Sequence, residues 1–232
     1  MEKRSNLIDF HAHIIPGADH GTSKTETTKK QLELLSSAGI GRVVATPHFY
    51  PHQTLLEEFL LLRSACVERM KGVLVEDSPI IYPAAEVLLT PHLDTMGGLD
   101  KLCIDGTNVL LIEIPSLEFD GVMMNTLSNI RENGFDVVIA HVDRYPEDIA
   151  EALLEAGFKC QLNAESLSSP LRKKKALGYF SMGDIVAIGS DIHGANERFA
   201  AGYKKACRTL DTRLDAVMAT SAELLAGAKS IN

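Results

Sequence analysis

The chain has 232 residues, 45% of them apolar and 23% charged, with a formal net charge of −8. That length buries a substantial core in one large domain or two small ones. The acid excess disfavours nucleic acid as a partner, and no run approaches the ~18 apolar residues of a membrane span.

In chain order, "MEKRSNLIDF" is charged and has no apolar stretch ahead of its strand-like end, which predicts no signal peptide. Short β-branched runs then read as buried strands: "NLIDF", "RVVAT", "IIYPAA", "NVLLIEI", "DVVIAH", "KCQLN" and "DIVAIGS". Between them lie segments with helical spacing. "TTKKQLELLSSAG", "TLLEEFLLLRSACVERMKG", "DGVMMNTLSNIRENG" and "PEDIAEALLEAG" each end in a glycine stop, at Gly39, Gly72, Gly134 and Gly157. "SPLRKKKALGYF", "NERFAAGYKKACRTL" and "RLDAVMATSAELLAGA" follow. The stretch 88–108 breaks the rhythm and reads as an excursion or long loop. No repeat, linker or low-complexity segment interrupts the chain, so 1–232 is expected to be a single domain. Seven strands alternating with helices predict parallel βα units, in an α/β barrel or a doubly wound sheet. The basic run "LRKKKALG" (171–178) reads as a solvated helix face. The four cysteines, Cys66, Cys103, Cys160 and Cys207, are far apart and form no CxxC, which predicts buried thiols in a reducing cytoplasm.

The ends of the predicted strands carry the chemistry. The first ends in His11 and His13, the second in His48, the third in Glu86, the fourth in Glu113, the fifth in His141, and the seventh in Asp191 and His193. Only the sixth, ending "QLN", supplies no ionisable group. Parallel α/β enzymes build their sites at the C-terminal ends of strands, so these residues are expected to converge. His, Asp and Glu without Cys suit Zn²⁺, Mn²⁺ or Fe. Residues 11 and 13, two apart on a strand, point the same way. Asp9, one step earlier, is expected to orient a ligand histidine. His52 and His92 fit no strand end and read as surface residues.

"DFHAH", "ATPH", "AAE", "LIEIP", "AHVDRY", "QLNAESL" and "GSDIHG", in that order, resemble the polymerase and histidinol phosphatase (PHP) superfamily. They look most like its bacterial manganese-dependent protein-tyrosine-phosphatase branch, encoded with capsule and exopolysaccharide systems. The resemblance runs from Leu7 to about Phe199. It implies a distorted (β/α)₇ TIM-like barrel and up to three ions. By motif, one ion takes His11, His13, Glu86 and Asp191; a second shares Glu86 and adds Glu113 and His141; a third takes Asp19, His48 and His193. Arg144 and Arg198 match arginines that bind the phosphate, a task suited to the planar guanidinium. The chain departs from the pattern in three places. "DHG" replaces the usual "DDG", "AHVDRY" the usual "AHPERY", and Glu165 a usual glycine. For His20, in "DHG", three roles are open: proton donor to the leaving group, ligand of the third ion in place of Asp19, or an exposed loop residue.

The resemblance implies a cytoplasmic phosphomonoesterase acting on phosphotyrosine in a protein, with a metal-activated water as nucleophile. Mn²⁺ is the expected ion, with Fe or Zn²⁺ as alternatives. The expected partner is a phosphotyrosine protein such as a tyrosine kinase of polysaccharide export. None of the cysteines is read as the nucleophile of a CxxxxxR phosphate loop. The alternatives are a small-molecule phosphatase such as histidinol phosphatase, which the acid at Glu113 disfavours, and a non-catalytic regulatory domain, which should have lost ligands.

Overall fold

The computed structural model describes residues 6–115 and 119–232; most of the charged N-terminal stretch, residues 1–5, lies outside them. Ten strands follow in chain order: β1 Leu7–His13, β2 Ile40–Ala45, β3 His48–Phe49, β4 Ile80–Pro83, β5 Glu86–Leu88, β6 Val109–Glu113, β7 Asp136–Ile139, β8 Lys159–Asn163, β9 Ile185–Gly189 and β10 Ile192–His193. All seven expected strands form. The three additional ones, β3, β5 and β10, continue β2, β4 and β9 after breaks of two residues.

These breaks let the barrel close. Hydrogen bonding runs β10-β1-β2-β4 in one sheet and β3-β5-β6-β7-β8-β9 in the other, with every pair parallel. Each broken strand therefore belongs to one sheet at its start and to the other at its end. Pro47, lacking an N–H, separates β2 from β3. Single bonds bridge the gaps: Thr46 N–H to Ala12 O (3.0 Å), Ala84 N–H to Ala45 O (2.9 Å) and Glu86 N–H to Pro47 O (3.1 Å). Asp191 N–H to His11 O (2.7 Å) and the β10–β1 pairing seal the cylinder.

Helices α1 Thr25–Ser37, α2 Leu56–Lys71, α3 Gly121–Glu132, α4 Glu147–Glu155, α5 Ala164–Ser168, α6 Lys173–Gly178, α7 Phe199–Leu210 and α8 Leu214–Leu224 follow the strands. The excursion 88–108 contains two 3₁₀ turns, Leu93–Thr95 and Leu99–Leu102, in place of a helix. The expected helical segment at 169–180 contains α6, whereas α5, only five residues long, was not anticipated from the sequence. Gly39, Gly134 and Gly157 take left-handed backbone past their helices, whereas Gly72 stays right-handed at φ −67°.

Strand residues are buried on both sides, as in parallel sheets under helices. Along β1, Ile8, Phe10 and Ala12 join the apolar core, while Asp9, His11 and His13 on the alternate face are equally buried. The apolar core thus lies largely between barrel and helices, and the C-terminal mouth of the barrel is lined by polar groups.

That mouth is packed without slack at Gly189. A Cβ there would lie 2.5 Å from His11 Cβ and 2.7 Å from Gln161 Nε2. Gly189→Ala is therefore expected to cost about 1–3 kcal/mol by overpacking, read as a lower urea midpoint at unchanged slope. An unchanged midpoint would show that β1 and β8 can move apart freely.

Candidate metal centre

Eight of the nine expected ligands meet at the mouth. Glu86 opens β5, one residue into the second sheet, and is fully buried. Its Oε1 lies 2.8 Å from His141 Nε2. Its Oε2 lies 2.9 Å from His48 Nδ1, 3.1 Å from His11 Nε2 and 3.3 Å from His13 Nε2. Asp191 Oδ1 is 3.3 Å from His13 Nε2, 3.4 Å from His193 Nδ1 and 3.8 Å from His11 Nε2. Glu113 stands off at 3.7 Å from His141 and 3.9 Å from His48.

Two of these residues leave their strands in left-handed backbone, His141 at φ 31° and Asp191 at φ 51°. Such conformations cost energy and persist only where neighbours over-determine them. Here a buried amide on β8 does so. Gln161 Oε1 accepts the His141 N–H (2.7 Å) and also meets His11 Nδ1 at 3.2 Å. Since the amide oxygen is an acceptor, His11 carries its proton on Nδ1 and turns the Nε2 lone pair to the cluster. Gln161 Nε2 in turn donates to Asn163 Oδ1 (3.0 Å), and Asn163 Nδ2 to Asp191 Oδ2 (3.2 Å). "QLN", the one strand end without an ionisable group, is the frame for the others. Its alternation of amides facing the same way as the ligands was the available signal.

Asp19 differs from expectation in position. It belongs to none of the close sets, and its two oxygens make three contacts outside them. Oδ2 accepts from His13 Nδ1 (2.7 Å) and His48 N–H (3.0 Å), and Oδ1 from Gly21 N–H (2.8 Å). It orients His13 as a carboxylate commonly orients a metal-ligating imidazole. Asp9 also differs: its Oδ1 accepts the backbone N–H groups of Ser190 (2.7 Å) and His11 (3.3 Å), not an imidazole. It braces main chain, and burial pushes its carboxyl up to about 6.

The donor set fits divalent cations. Four sets of three side chains each bring one ligand atom within 4.8 Å of the others: His11–His13–Asp191, His11–Glu86–His141, His48–Glu86–Glu113 and His13–His48–His193. Glu86 Oε2 and His48 Nδ1 are buried and 2.9 Å apart, yet neither makes an aligned hydrogen bond. Lone pairs converging on a common point have this geometry. Burial opposes ionisation of Glu86, but His11, His13 and His141 outweigh it and hold its carboxyl well below the usual range. Asp191 is likewise depressed against burial, by His13 and His11. For Asp19, the His13 contact wins over burial and lowers it to about 2. Glu113 is pushed up by burial and by Glu86. Two carboxylates this close are costly without positive charge between them.

Arg144 and Arg198 stand at the rim. Arg144 Nη1 donates to Asp191 Oδ2 at 2.6 Å with its side chain half exposed. Arg198, just before α7, lines a cleft of about 460 Å³ with Glu165, Ser168, Asp191, His193 and Phe199. His20 is exposed at the same rim, and His52 and His92 lie outside the cluster on the surface. The bare CxxxxxR spacing does occur once, from Cys207 to Arg213. Cys207 is inside α7, and burial pushes its thiol up to about 11. Arg213 packs over the Phe180 ring. The pair forms no phosphate loop.

Known proteins share this arrangement of chain. A family model described as capsular polysaccharide synthesis, CpsB/CapC, matches residues 7–226. The tyrosine-protein phosphatase CpsB of Streptococcus pneumoniae is 30% identical over 215 residues, 83% of this chain and 85% of that protein. The protein of the same name from Streptococcus agalactiae is 23% identical over 224 residues, 87% and 90% of the two chains. A solved structure described as YwqE from Bacillus subtilis and CpsB from Streptococcus pneumoniae, metal-dependent tyrosine phosphatases, superposes with a TM-score of 0.80 at 23% identity, covering 96% of both chains. The expected distorted (β/α)₇ barrel is the fold observed.

The Gln161 frame yields a test. Gln161→Leu removes the acceptor for two cluster residues while keeping bulk. Metal affinity is expected to fall about 10–100-fold, the range for outer-shell partners, as measured by competition with a chromophoric chelator. Wild-type affinity would show that the backbone alone holds His141.

Proposed function

The chain belongs to the CpsB/CapC family of capsular polysaccharide synthesis, and we propose that it is a metal-dependent protein-tyrosine phosphatase of that system. The observation that carries this is the convergence of His11, His13, His48, Glu86, Glu113, His141, Asp191 and His193 on one mouth, with Arg144 and Arg198 at its rim. In this reading His11, His13, Glu86 and Asp191 hold one ion, and Glu86, Glu113 and His141 a second. His48 and His193 hold the outermost one. Glu86 is suited to bridge, since a carboxylate offers two oxygens and an imidazole one lone pair. Mn²⁺ is the first choice of metal for the inner positions, with Fe or Zn²⁺ as alternatives.

Bound ions supply an activated water for attack on phosphorus and positive charge for the phosphoryl oxygens. The chain's own groups do the rest. Gln161 and Asp19 fix which nitrogen of His11 and His13 faces the centre. Arg144 donates toward a phosphoryl oxygen from the Asp191 side. Arg198 does so from the cleft, whose volume of about 460 Å³, bordered by Phe199, is offered to the aryl group. Although the chain is acidic, the ions dominate the local field, so an anionic substrate is attracted. The substrate is a phosphotyrosine protein, for which a tyrosine kinase of polysaccharide export is the expected partner, in the cytoplasm. No helix among the described residues is long and apolar enough to cross a membrane.

Chelation is expected to abolish hydrolysis of a phosphotyrosine peptide, and Mn²⁺ to restore it. Undiminished activity in excess chelator, or a preference for histidinol phosphate over the peptide, would overturn the assignment. Arg144→Ala should fold and retain metal while kcat/KM drops by orders of magnitude, about 100-fold or more, since a charge-assisted bidentate contact is among the strongest single contacts. Arg144→Lys should recover little, because the planar fork is lost. Near-normal kinetics in Arg144→Ala would leave Arg144 only its ion pair with Asp191.

A further inference from the structure

The Arg144 side chain is half exposed, but the turn that carries it is held on both sides. This 3₁₀ turn, Val142–Arg144, leaves β7 through the left-handed His141. After Arg144 comes Tyr145, which is buried, and whose hydroxyl accepts the Ile114 N–H at 2.9 Å. That contact ties the turn to the exit of β6. Before Arg144 comes Asp143. Its Oδ1 accepts the Asn163 N–H at the end of β8 (2.8 Å), and its Oδ2 accepts from the Ser166 hydroxyl in α5 (2.5 Å). Strands β6 and β8 flank β7 in the sheet, so the turn is fastened to both neighbours of its own strand.

Asn163 closes a circuit. Its N–H goes to Asp143, and its Nδ2 donates to Asp191 Oδ2 at 3.2 Å. The same Asp191 oxygen accepts Arg144 Nη1 at 2.6 Å. The ring of contacts Asp143–Asn163–Asp191–Arg144 thus begins and ends on adjacent residues. Asp143 is the acid of "AHVDRY", where the usual pattern has a glutamate, and no role in the metal centre falls to it. Its carboxylate spends both oxygens on β8 and α5 and forms no ion pair among the described residues. The guanidinium beside it is therefore left to face the mouth.

We propose that Asp143 is a positioning residue for Arg144. By anchoring the turn to β8 and α5, it fixes the backbone from which the guanidinium reaches either Asp191 Oδ2 or an oxygen of a bound phosphate monoester. Asp143 touches no substrate itself. Backbone freedom at the turn is removed on folding, so binding has only the Arg144 side chain to order. A planar fork also makes two parallel bonds only from the right base position. Loosening the turn costs both advantages while leaving the charge of Arg144 in place.

The inference rests on the phosphatase reading above, and a double-mutant cycle tests it separately. Wild type, Asp143→Ala, Arg144→Ala and the double variant are loaded with Mn²⁺. Three quantities are measured on each: metal content by mass spectrometry of the elements, the Kd of inorganic phosphate by calorimetry, and kcat/KM on a phosphotyrosine peptide. Asp143→Ala is expected to keep its metal, to lose about 10–100-fold in kcat/KM, the scale of a small misplacement, and to bind phosphate more weakly. In the Arg144→Ala background the same substitution should cost no more than about twofold in either quantity, because members of one network are not additive. Ser166→Ala, which spares the Asn163 bond, should fall between wild type and Asp143→Ala. If Asp143→Ala does not fold, Asp143→Asn, with one acceptor oxygen left, takes its place in the cycle. Equal losses with and without Arg144 overturn the inference. So do wild-type kinetics in Asp143→Ala, or a loss that follows metal content, since Asp143 would then act through His141. A wild type that leaves the peptide intact while the coupling persists in phosphate affinity would instead sink the phosphatase reading and leave the positioning role standing.

Discussion

A carboxylate without solvent contact, Glu86, faces four imidazoles within 3.3 Å. Burying an ion this fully costs several kcal/mol unless it is paired and hydrogen-bonded. Much of the barrel's irregularity serves that pairing. The break between β4 and β5 moves Glu86 from one sheet to the other. The break at Pro47 brings His48 beside it in register, and the left-handed exit of β7, two strands along the sheet, turns His141 in toward it. A regular barrel would have carried these ladders straight through, with the side chains alternating in and out of the lumen. Here the breaks reset that alternation where the ligands are needed.

Glu86 alone does not balance the mouth. Asp19, Glu113 and Asp191 add three more acids, and Glu113 gains least from the imidazoles, standing farther off with its carboxyl pushed up. Arg144 meets Asp191 from solvent, but an exposed guanidinium is screened and offsets little of this. The acids therefore remain under-compensated on the Glu113 side. That is the side on which a cation has most to gain, and where Tyr50, stacked on His48, has its hydroxyl pushed up to about 12 by burial and by Glu113.

The strands were legible because two-sided burial demands unbroken β-branched runs, and "VVA", "VLLI" and "IVAI" have no other comfortable place. The ligands were legible because parallel strands end on one face, so a list of strand ends is a list of neighbours. What the sequence concealed was polar and local. Gln161 carries no charge, and its importance lies in two hydrogen bonds to residues 20 and 150 positions away. Asp19 and His20 are adjacent, and nothing in "DHG" says which turns inward; that is settled by backbone donors at Gly21 and His48. Asp9 was given a partner of the right class on the wrong atom, since main-chain N–H groups leave no trace in residue identity. The Cys207–Arg213 spacing shows the converse: a motif with no meaning once its cysteine falls inside a helix.

The division of labour between ladders and loops follows from these constraints. Most of the side chains that face the cluster stand on or beside paired strands, whose register cannot slip without turning each residue to the other face. The cleft beyond them is bounded by α5, the Asn196–Arg198 segment and α7, where Glu165 pairs with Arg172 at 2.6 Å on open surface. An exposed pair of this kind contributes little stability, so its positions are free to vary without endangering the centre. The metal-facing side chains thus sit on the rigid mouth, whereas the cleft beside it, Arg198 included, is built from side chains that the fold needs less.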